Sequence, residues 1–366
     1  MIWTWCSSLA VAGAFIVTGC AASPREGPPV ERAEAMERAK AHGRLGLPPE
    51  IENRVLAIDP EHVTGQVITD TLSKTPAPRI INIHGGIYPV YLQMVSFAEF
   101  LVGMGYPRAS ILNPADGTYT FSCYESSTKI TGFIAWYYER EGLRPMIVGH
   151  SQGGFQVIKI LRELAGLSGE RLAVWNPLTA KKEKRHEIID PLTGNSRPVV
   201  GLQLPYATAV GSGGLTRFMP NQWSTFGRLR TIPDSVEEFT AFSKGMDLFG
   251  GDFLGYGPAN VDYAAGQARV RNVRLPPWYG HVSVPHTRHL LKNPALMEWV
   301  NQYQPANGAT DTDRAEAHVA DRFKSWESRH ILWAAEVWFS IKKHWVIELQ
   351  RAIQAERARA GGGEKP

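Results

Sequence analysis

Apolar runs alternate with helical patterns along the first half of the chain. A compact apolar run at 79–83 is typical of a buried strand, and 90–103 has apolar positions at helical spacing. A second helical pattern at 126–141 precedes another apolar run at 145–148. Strands that alternate with helices in this way form βαβ units. The pattern therefore predicts an α/β fold with a mostly parallel sheet flanked by helices.

Shorter stretches predict further elements with less regular patterns. Strands are predicted at 54–59, 65–71 and 109–112. The alternation of strands and helices ends after about residue 170. From 204 to 233 the chain is rich in glycine and aromatic residues and has no clear period. We expect this part of the chain to interrupt the regular α/β order.

The C-terminal part of the chain, 315–358, is strongly helical in pattern. Apolar residues recur there at steps of three and four, namely Ile331, Ala334, Ala335, Trp338, Ile341, Trp345 and Leu349. Such a stripe usually packs on a hydrophobic core, and the alternative is a face that lies on a membrane. We therefore interpret 311–366 as a helical C-terminal extension.

The N-terminal segment has the features of a targeting signal. Residues 9–17 form an apolar stretch that is too short to span a bilayer. The stretch ends in Val17-Thr18-Gly19-Cys20, which resembles the processing site of bacterial lipoproteins. That resemblance implies a signal peptide at 1–19 and acylation of Cys20. Acyl chains at this cysteine would anchor the protein stably to a membrane.

The same resemblance implies where the protein resides. An alanine, not an aspartate, follows the lipidated cysteine, which favours an outer-membrane lipoprotein of the cell envelope. The alternative is cleavage at another position, which would produce a secreted or periplasmic protein. Residues 20–50 are expected to form the tether, with a short helix near 30–42.

Composition narrows the class of protein. The 366 residues, 43% of them hydrophobic and 20% charged, are ordinary for a globular chain with one large domain. The formal net charge of +4 is spread along the chain and no basic run alternates with aromatic residues, so nucleic-acid binding is not expected. Cys6 and Cys20 lie in the N-terminal segment, which leaves Cys123 as a lone thiol expected to be buried. No cysteine and histidine spacing of the metal-binding type occurs, and we expect no metal.

The run Gly149-His150-Ser151-Gln152-Gly153 carries the strongest functional signal. An apolar strand pattern precedes it and a helical pattern follows it. A nucleophile on such a strand-to-helix turn has a strained backbone and needs small residues two positions before and after it. Glycines occupy both positions. Ser151 is therefore the predicted nucleophile.

These residues resemble the α/β-hydrolase superfamily, and within it the serine lipases, esterases and thioesterases. The resemblance covers about 79–303 and implies a hydrolase domain at 51–310. In that family an insertion after the sixth strand commonly forms a cap over the active site. We assign this role to about 178–233, and part of that range is also compatible with a strand of the sheet.

The resemblance implies a base that follows the last strand. Residues 268–275 form the best candidate for that strand, and Gly280-His281 comes shortly after it. His281 is therefore the predicted base. His286 and His289 are the alternatives, although both lie where the next helix is expected to begin.

The acid is expected at the end of the preceding strand. Residues 239–243 are apolar and β-compatible, and Asp247 follows them. Asp247 is the predicted acid, with Asp252 as the first alternative and Asp262 as the second. Aspartates beside glycine-rich turns also serve turn geometry, so these alternatives stay open.

The resemblance also implies the groups that stabilise the oxyanion. Lipases and esterases have His-Gly motifs after their third strand, and His84-Gly85-Gly86 occupies that place. The predicted donors are the backbone N–H groups of Gly86 and Gln152, with the N–H of Ile87 as the alternative to that of Gly86. His84 is expected to orient the loop.

Together these residues predict a serine hydrolase that cleaves a carboxylic ester or thioester through an acyl-enzyme. The substrate would be a small-molecule or lipid ester, and no cofactor is expected. One alternative is an envelope acyltransferase with the same fold. Another is a surface lipoprotein that binds ligands without catalysis. Fold alone does not decide among these functions.

Overall fold

The computed structural model has an α/β fold with a central parallel sheet. It describes residues 45–169, 171–212, 223, 227–244, 247, 249–250, 261–276, 278–305 and 326–361. The sheet contains, in chain order, β1 (Ile80–His84), β2 (Phe121–Ser122), β3 (Met146–His150), β4 (Leu204–Val210), β5 (Val236–Lys244) and β6 (Arg269–Leu275). These six strands pair in parallel in the order β6-β5-β4-β3-β1-β2. The predicted parallel sheet is confirmed.

Helices surround the sheet. They are α1 (Pro49–Leu56), α2 (Gly65–Asp70), α3 (Tyr88–Gly103), α4 (Ser127–Glu141), α5 (Gln152–Leu164), α6 (Pro294–Gln302) and α7 (Ile331–Gly361). Single 3-10 turns occur at Pro60–His62, Leu72–Lys74, Arg108–Ser110, Arg288–Lys292 and Trp326–Ser328. The predicted helices at 90–103 and 126–141 correspond to α3 and α4.

Alternating side chains of the strands separate two hydrophobic cores. Ile80 and Met146 belong to the core that includes α3 and α7. Ile81 and Ile147, one residue further along the same strands, belong to the core that includes α4 and α5. Successive residues of a strand point to opposite faces, so both faces of the sheet are covered by helices. This explains why the sheet strands are continuous apolar runs.

The strand order places the carboxyl ends of β1, β3, β5 and β6 at one edge of the sheet, because all pair in parallel. From β1 the chain passes to β2 on one side of β1. It then returns across β1 to β3 on the other side. Ligands of open α/β sheets bind where the strand order reverses in this way. The loops after these four strands therefore converge on one crevice.

The predicted strands at 54–59 and 65–71 are wrong, since 54–56 belong to helix α1 and 65–70 form helix α2. Pro49 begins α1 at a position where proline's missing N–H leaves no hydrogen bond unmade. Thr64 caps α2, and its side chain accepts a hydrogen bond from the backbone N–H of Val67 at 3.3 Å. Such capping favours a helix over the strand that apolar alternation suggested.

The predicted strand at 109–112 is also wrong. A 3-10 turn covers Arg108–Ser110, and the carbonyl of Arg108 accepts hydrogen bonds from the N–H groups of Ile111 and Leu112. The strand that pairs with β1 on the side away from β3 is β2, which lies about ten residues after the predicted strand.

Part of the range predicted as a cap, 178–233, is a strand of the sheet, which the sequence also allowed. Leu204–Val210 is β4, in the interior of the sheet. Arg185 forms an ion pair with Glu139 at 2.6 Å, and Tyr138 donates a hydrogen bond to Asp190 at 2.9 Å. Those partners lie at the end of α4 that leads into β3, on the opposite edge from the carboxyl ends. Residues 213–222 and 224–226 of the predicted cap lie outside the described residues.

The C-terminal helix α7 is part of the main core. The predicted stripe from Ile331 to Leu349 is fully buried, which confirms core packing. The guanidinium of Arg144, just before β3, donates to the carboxylate of Glu348 on α7 at 2.5 Å. Within the described residues, no helix has the length and apolarity needed to cross a membrane.

Candidate active site

Ser151 sits on a sharp turn between β3 and α5. Its backbone has φ +57° and ψ −121°, a conformation that non-glycine residues rarely adopt. A Cβ at Gly149 would meet the carbonyl oxygen of Gly153, and a Cβ at Gly153 would meet that of Ile83. Both glycines are therefore required by the close packing around the turn. The backbone N–H of Ser151 donates to the carbonyl of Val210 at 2.8 Å, which ties the turn to β4.

A chain of hydrogen bonds joins Ser151 to the predicted base and acid. His281 Nε2 lies 3.0 Å from Ser151 Oγ, and His281 Nδ1 lies 2.9 Å from Asp247 Oδ2. The carboxylate can only accept, so Nδ1 carries the proton and Nε2 is free to accept from the serine hydroxyl. Three residues that are up to 130 positions apart in the chain are brought within hydrogen-bonding distance.

The environment of Asp247 favours its ionised form. Its other oxygen, Oδ1, accepts the backbone N–H groups of Phe249 at 3.1 Å and Gly250 at 3.0 Å. Burial raises the pKa of the carboxyl group, but the hydrogen bonds and the charge of His281 outweigh burial and hold this pKa below its ordinary value. An ionised Asp247 can stabilise positive charge on His281.

The loop after β1 lies directly against Ser151. A Cβ at Gly85 would be only 2.8 Å from the Cβ of Ser151. Within the part of the chain that the structure describes, the backbone N–H groups of Gly86 and Gln152 have no acceptor. Both lie beside the serine, Gln152 as the first residue of α5. Unused N–H groups at this position can donate to an oxygen that develops negative charge.

Side chains around Gly86 hold this loop. The hydroxyl of Tyr124 donates to the carbonyl of Gly86 at 3.2 Å, and the thiol of Cys123 donates to Gln152 Oε1 at 3.4 Å. Cys123 is buried, as predicted, and forms no disulfide among the described residues. His84 has its Nδ1 2.8 Å from the carbonyl oxygen of Gly85, a contact that fits the predicted role in orienting the loop.

The alternative residues have other partners. His286 Nδ1 is 2.8 Å from Gln93 Oε1, and its ring stacks on that of His289 at 5.1 Å. Asp262 pairs with Arg230 at 3.3 Å, and burial raises its pKa to about 6. Neither His286 nor Asp262 joins the chain of hydrogen bonds at Ser151.

Other predicted sites cannot be compared with the structure. Asp252 and Cys20, the predicted site of lipidation, lie outside the described residues, as do the predicted signal peptide at 1–19 and the helix predicted near 30–42. Among the residues that are described, no group of three or more histidine, cysteine, aspartate or glutamate side chains is arranged to hold a metal ion. Whether Ile87 contributes an oxyanion donor stays a prediction.

His150 is a residue to which sequence reasoning gave no role. Its ring is completely buried, and its Nε2 lies 2.7 Å from the main-chain oxygen of His281. Burial and, to a smaller extent, the neighbouring His281 lower the pKa of His150 to about 3. The signal in the sequence was its place directly before the predicted nucleophile.

Exposed aromatic side chains lie on or beside the loops that carry Gly86, Asp247 and His281. Tyr88 follows the loop after β1, Tyr124 contacts that loop, and Trp278 lies three residues before His281. The ring of Phe249, two residues after Asp247, is 6.0 Å from the ring of His281. Large apolar groups that stay exposed beside a crevice are typical of a surface that binds an apolar ligand.

Comparisons with known proteins add no family to this geometry. No protein-family model matches the chain, and neither a curated protein nor a solved structure matches it. Function must therefore be argued from the arrangement of Ser151, His281 and Asp247 itself.

Proposed function

We propose that the protein is a serine hydrolase of the α/β-hydrolase type that cleaves a carboxylic ester or a thioester. The observation that carries this proposal is the hydrogen-bonded chain from Asp247 through His281 to Ser151 on a strained strand-to-helix turn. Buried serines that serve only packing need neither a positive φ nor a histidine oriented by a carboxylate. Nucleophilic catalysis needs both an activated hydroxyl and an oriented base.

Each residue has a defined role in the proposed reaction. Ser151 Oγ attacks the carbonyl carbon while His281 Nε2 takes the hydroxyl proton. Asp247 holds the protonated imidazole and stabilises its charge. The N–H groups of Gly86 and Gln152 donate to the oxyanion of the tetrahedral intermediate. His281 then protonates the leaving oxygen or sulfur, and a water molecule activated by His281 hydrolyses the acyl-enzyme.

The surroundings of Ser151 favour an ester with an apolar acyl group. Four large, exposed side chains lie on or beside the loops that carry the proposed machinery, namely Tyr88, Tyr124, Phe249 and Trp278. An apolar acyl chain that covers such side chains gains about 25 cal/mol for each Å² of apolar surface removed from water. A small-molecule ester or a lipid ester both meet this requirement.

The proposal is tested with a fluorophosphonate probe and a panel of esters. Folded wild-type protein should label at Ser151, and S151A should not. Wild type should hydrolyse p-nitrophenyl esters of increasing chain length, assayed beside one thioester, whereas S151A should keep only a residual rate of roughly 10³–10⁴-fold over water. Absence of labelling and turnover in wild type would favour a binding protein. Transfer of the acyl group to added alcohols in preference to water would identify an acyltransferase.

We also propose that acyl chains at Cys20 attach the protein to the cell envelope, most consistently to the outer membrane. The support is the run Val17-Thr18-Gly19-Cys20 after a short apolar stretch. C20S should move the protein from the membrane fraction to the soluble fraction. Mass spectrometry should find a mature N-terminus at Cys20 with acyl mass added. An unmodified N-terminus at another residue would contradict the anchor and leave the hydrolase proposal intact.

A further inference from the structure

Two neighbouring residues at the end of β3 contact the same histidine. Ser151 meets the ring of His281 through Nε2 at 3.0 Å. His150, one residue earlier, meets the main-chain oxygen of His281 at 2.7 Å. The third contact is Asp247 at Nδ1. His281 is therefore held at both ring nitrogens and at its backbone.

The direction of the contact from His150 follows from chemistry. A carbonyl oxygen only accepts, so the Nε2 of His150 carries a proton and donates it. A neutral imidazole has one protonated nitrogen, which leaves Nδ1 of His150 without a proton. The ring is fully buried, and burial together with nearby His281 keeps it neutral. The charged or titratable groups that line the small cavity of about 10 Å³ beside it are Lys244, Asp247 and His281.

A neutral His150 suits this position. The centres of the His150 and His281 rings are 5.2 Å apart. His281 becomes positively charged when it takes the serine proton, and a second positive charge at that distance would oppose the step. A neutral donor holds the backbone without this repulsion.

The loop that carries His281 has little regular structure of its own. The N–H groups of Tyr279, Ser283 and Val284 donate to carbonyls three or four residues earlier in the chain. Such bonds shape turns but do not locate the loop relative to the sheet. The bond from His150 joins positions 131 residues apart and connects the loop to β3.

We propose that His150 is a positioning residue, whose Nε2–H holds the main chain of His281 and so keeps the imidazole within reach of Ser151. This inference rests on the proposed hydrolase function. The nucleophile and the anchor of its base are adjacent in sequence, so the turn that presents Ser151 also locates His281. Errors of about 1 Å in such geometry can lower a rate by roughly 10²-fold.

Two substitutions separate positioning from packing. In H150Q the side-chain amide can present an N–H near the original Nε2, whereas in H150N the amide is too short to reach the carbonyl. H344N is the matched control, because His344 is also fully buried but stacks on Tyr206 at 5.7 Å, away from the crevice. If H150N does not fold, H150F, which keeps a ring of similar size without a donor, replaces it.

H150N should lower kcat for a p-nitrophenyl ester by about 10²-fold with KM changed less than about threefold. H150Q should recover most of that loss. H344N should lower the melting temperature without a comparable fall in kcat. The inference is overturned if H150Q is as impaired as H150N, or if H150N keeps more than half of the wild-type kcat.

A second measurement does not depend on activity. In ¹⁵N-histidine NMR spectra, the Nδ1 proton shared by His281 and Asp247 should be protected from exchange in wild type and H150Q, and should exchange at least tenfold faster in H150N. Equal exchange in all three proteins would overturn the positioning role. A wild type that has the protected proton but no esterase activity would refute the hydrolase function alone.

Discussion

Replacing Asp247 by asparagine should disable the site without unfolding the protein. Oδ1 of Asp247 already accepts the N–H groups of Phe249 at 3.1 Å and Gly250 at 3.0 Å. The amide oxygen of asparagine would keep these two bonds. Its NH₂ group would then face His281 Nδ1, where Asp247 Oδ2 now lies at 2.9 Å.

The expected fall in kcat follows from this orientation of the asparagine amide. An amide NH₂ only donates, so Nδ1 of His281 would have to accept, and the ring proton would move to Nε2. Nε2 faces Ser151 Oγ at 3.0 Å and would no longer accept the serine proton. The flipped amide would restore the tautomer but remove the acceptor of the buried N–H group of Gly250, at a cost of about 1–3 kcal/mol. We expect kcat to fall by about 10⁴-fold, equivalent to about 5.4 kcal/mol.

Initial rates with a p-nitrophenyl ester and a thermal melt measure the two effects. The matched control is D262N, since Asp262 is a buried aspartate whose partner is Arg230. D262N should keep kcat within about threefold of wild type, as should D252N. A D247N variant that melts like wild type and keeps a tenth of its kcat would refute the assignment of the acid. A loss in D252N instead would move the acid to Asp252.

Three further predictions concern the base, a buried ion pair and a buried lysine. H281A should lose as much kcat as S151A because the members of a triad act together, whereas H286A should be nearly neutral; equal and mild losses would remove His281 from the mechanism. R144M should lower the free energy of unfolding in denaturant by about 3 kcal/mol, because the buried Glu348 would lose Arg144 and keep only its ion pair with the half-buried Arg351, and R144M/E348L should recover most of this. Burial lowers the pKa of Lys342 to about 8, so the folded protein binds this proton less tightly than the unfolded chain. This lysine should therefore add about 3 kcal/mol of stability as the pH rises from 8 to 10.5, and the gain should be absent in K342M; an unchanged pH dependence would contradict it.

The sequence predicted elements well where a short segment contains its own constraints. β3, the turn at Ser151 and α5 are contiguous, and glycines at 149 and 153 leave few other conformations for the turn. The buried stripe of α7 was likewise predicted, because its helical period extends over several turns. Long periodic patterns carry more information than short ones.

The errors arose where apolar pattern alone could not distinguish the alternatives. Residues 65–71 resemble a strand, but the cap from Thr64 starts a helix there. The range 178–233 was assigned to an insertion of which a part could be a strand, and only the structure shows that 204–210 form β4 inside the sheet. Both outcomes depend on contacts with residues that lie outside the stretch whose hydrophobic pattern was interpreted.

The sequence by itself therefore determined the alternation of strands and helices, and the turn on which Ser151 lies. It also limited the candidates for the base and the acid to a few residues that follow the last two strands. Only the tertiary structure decided between Asp247 and Asp262, because chemically identical side chains differ only in what surrounds them. It alone brought the carbonyl of His281 to His150, since a contact between residues 131 positions apart leaves no periodic trace in a single sequence.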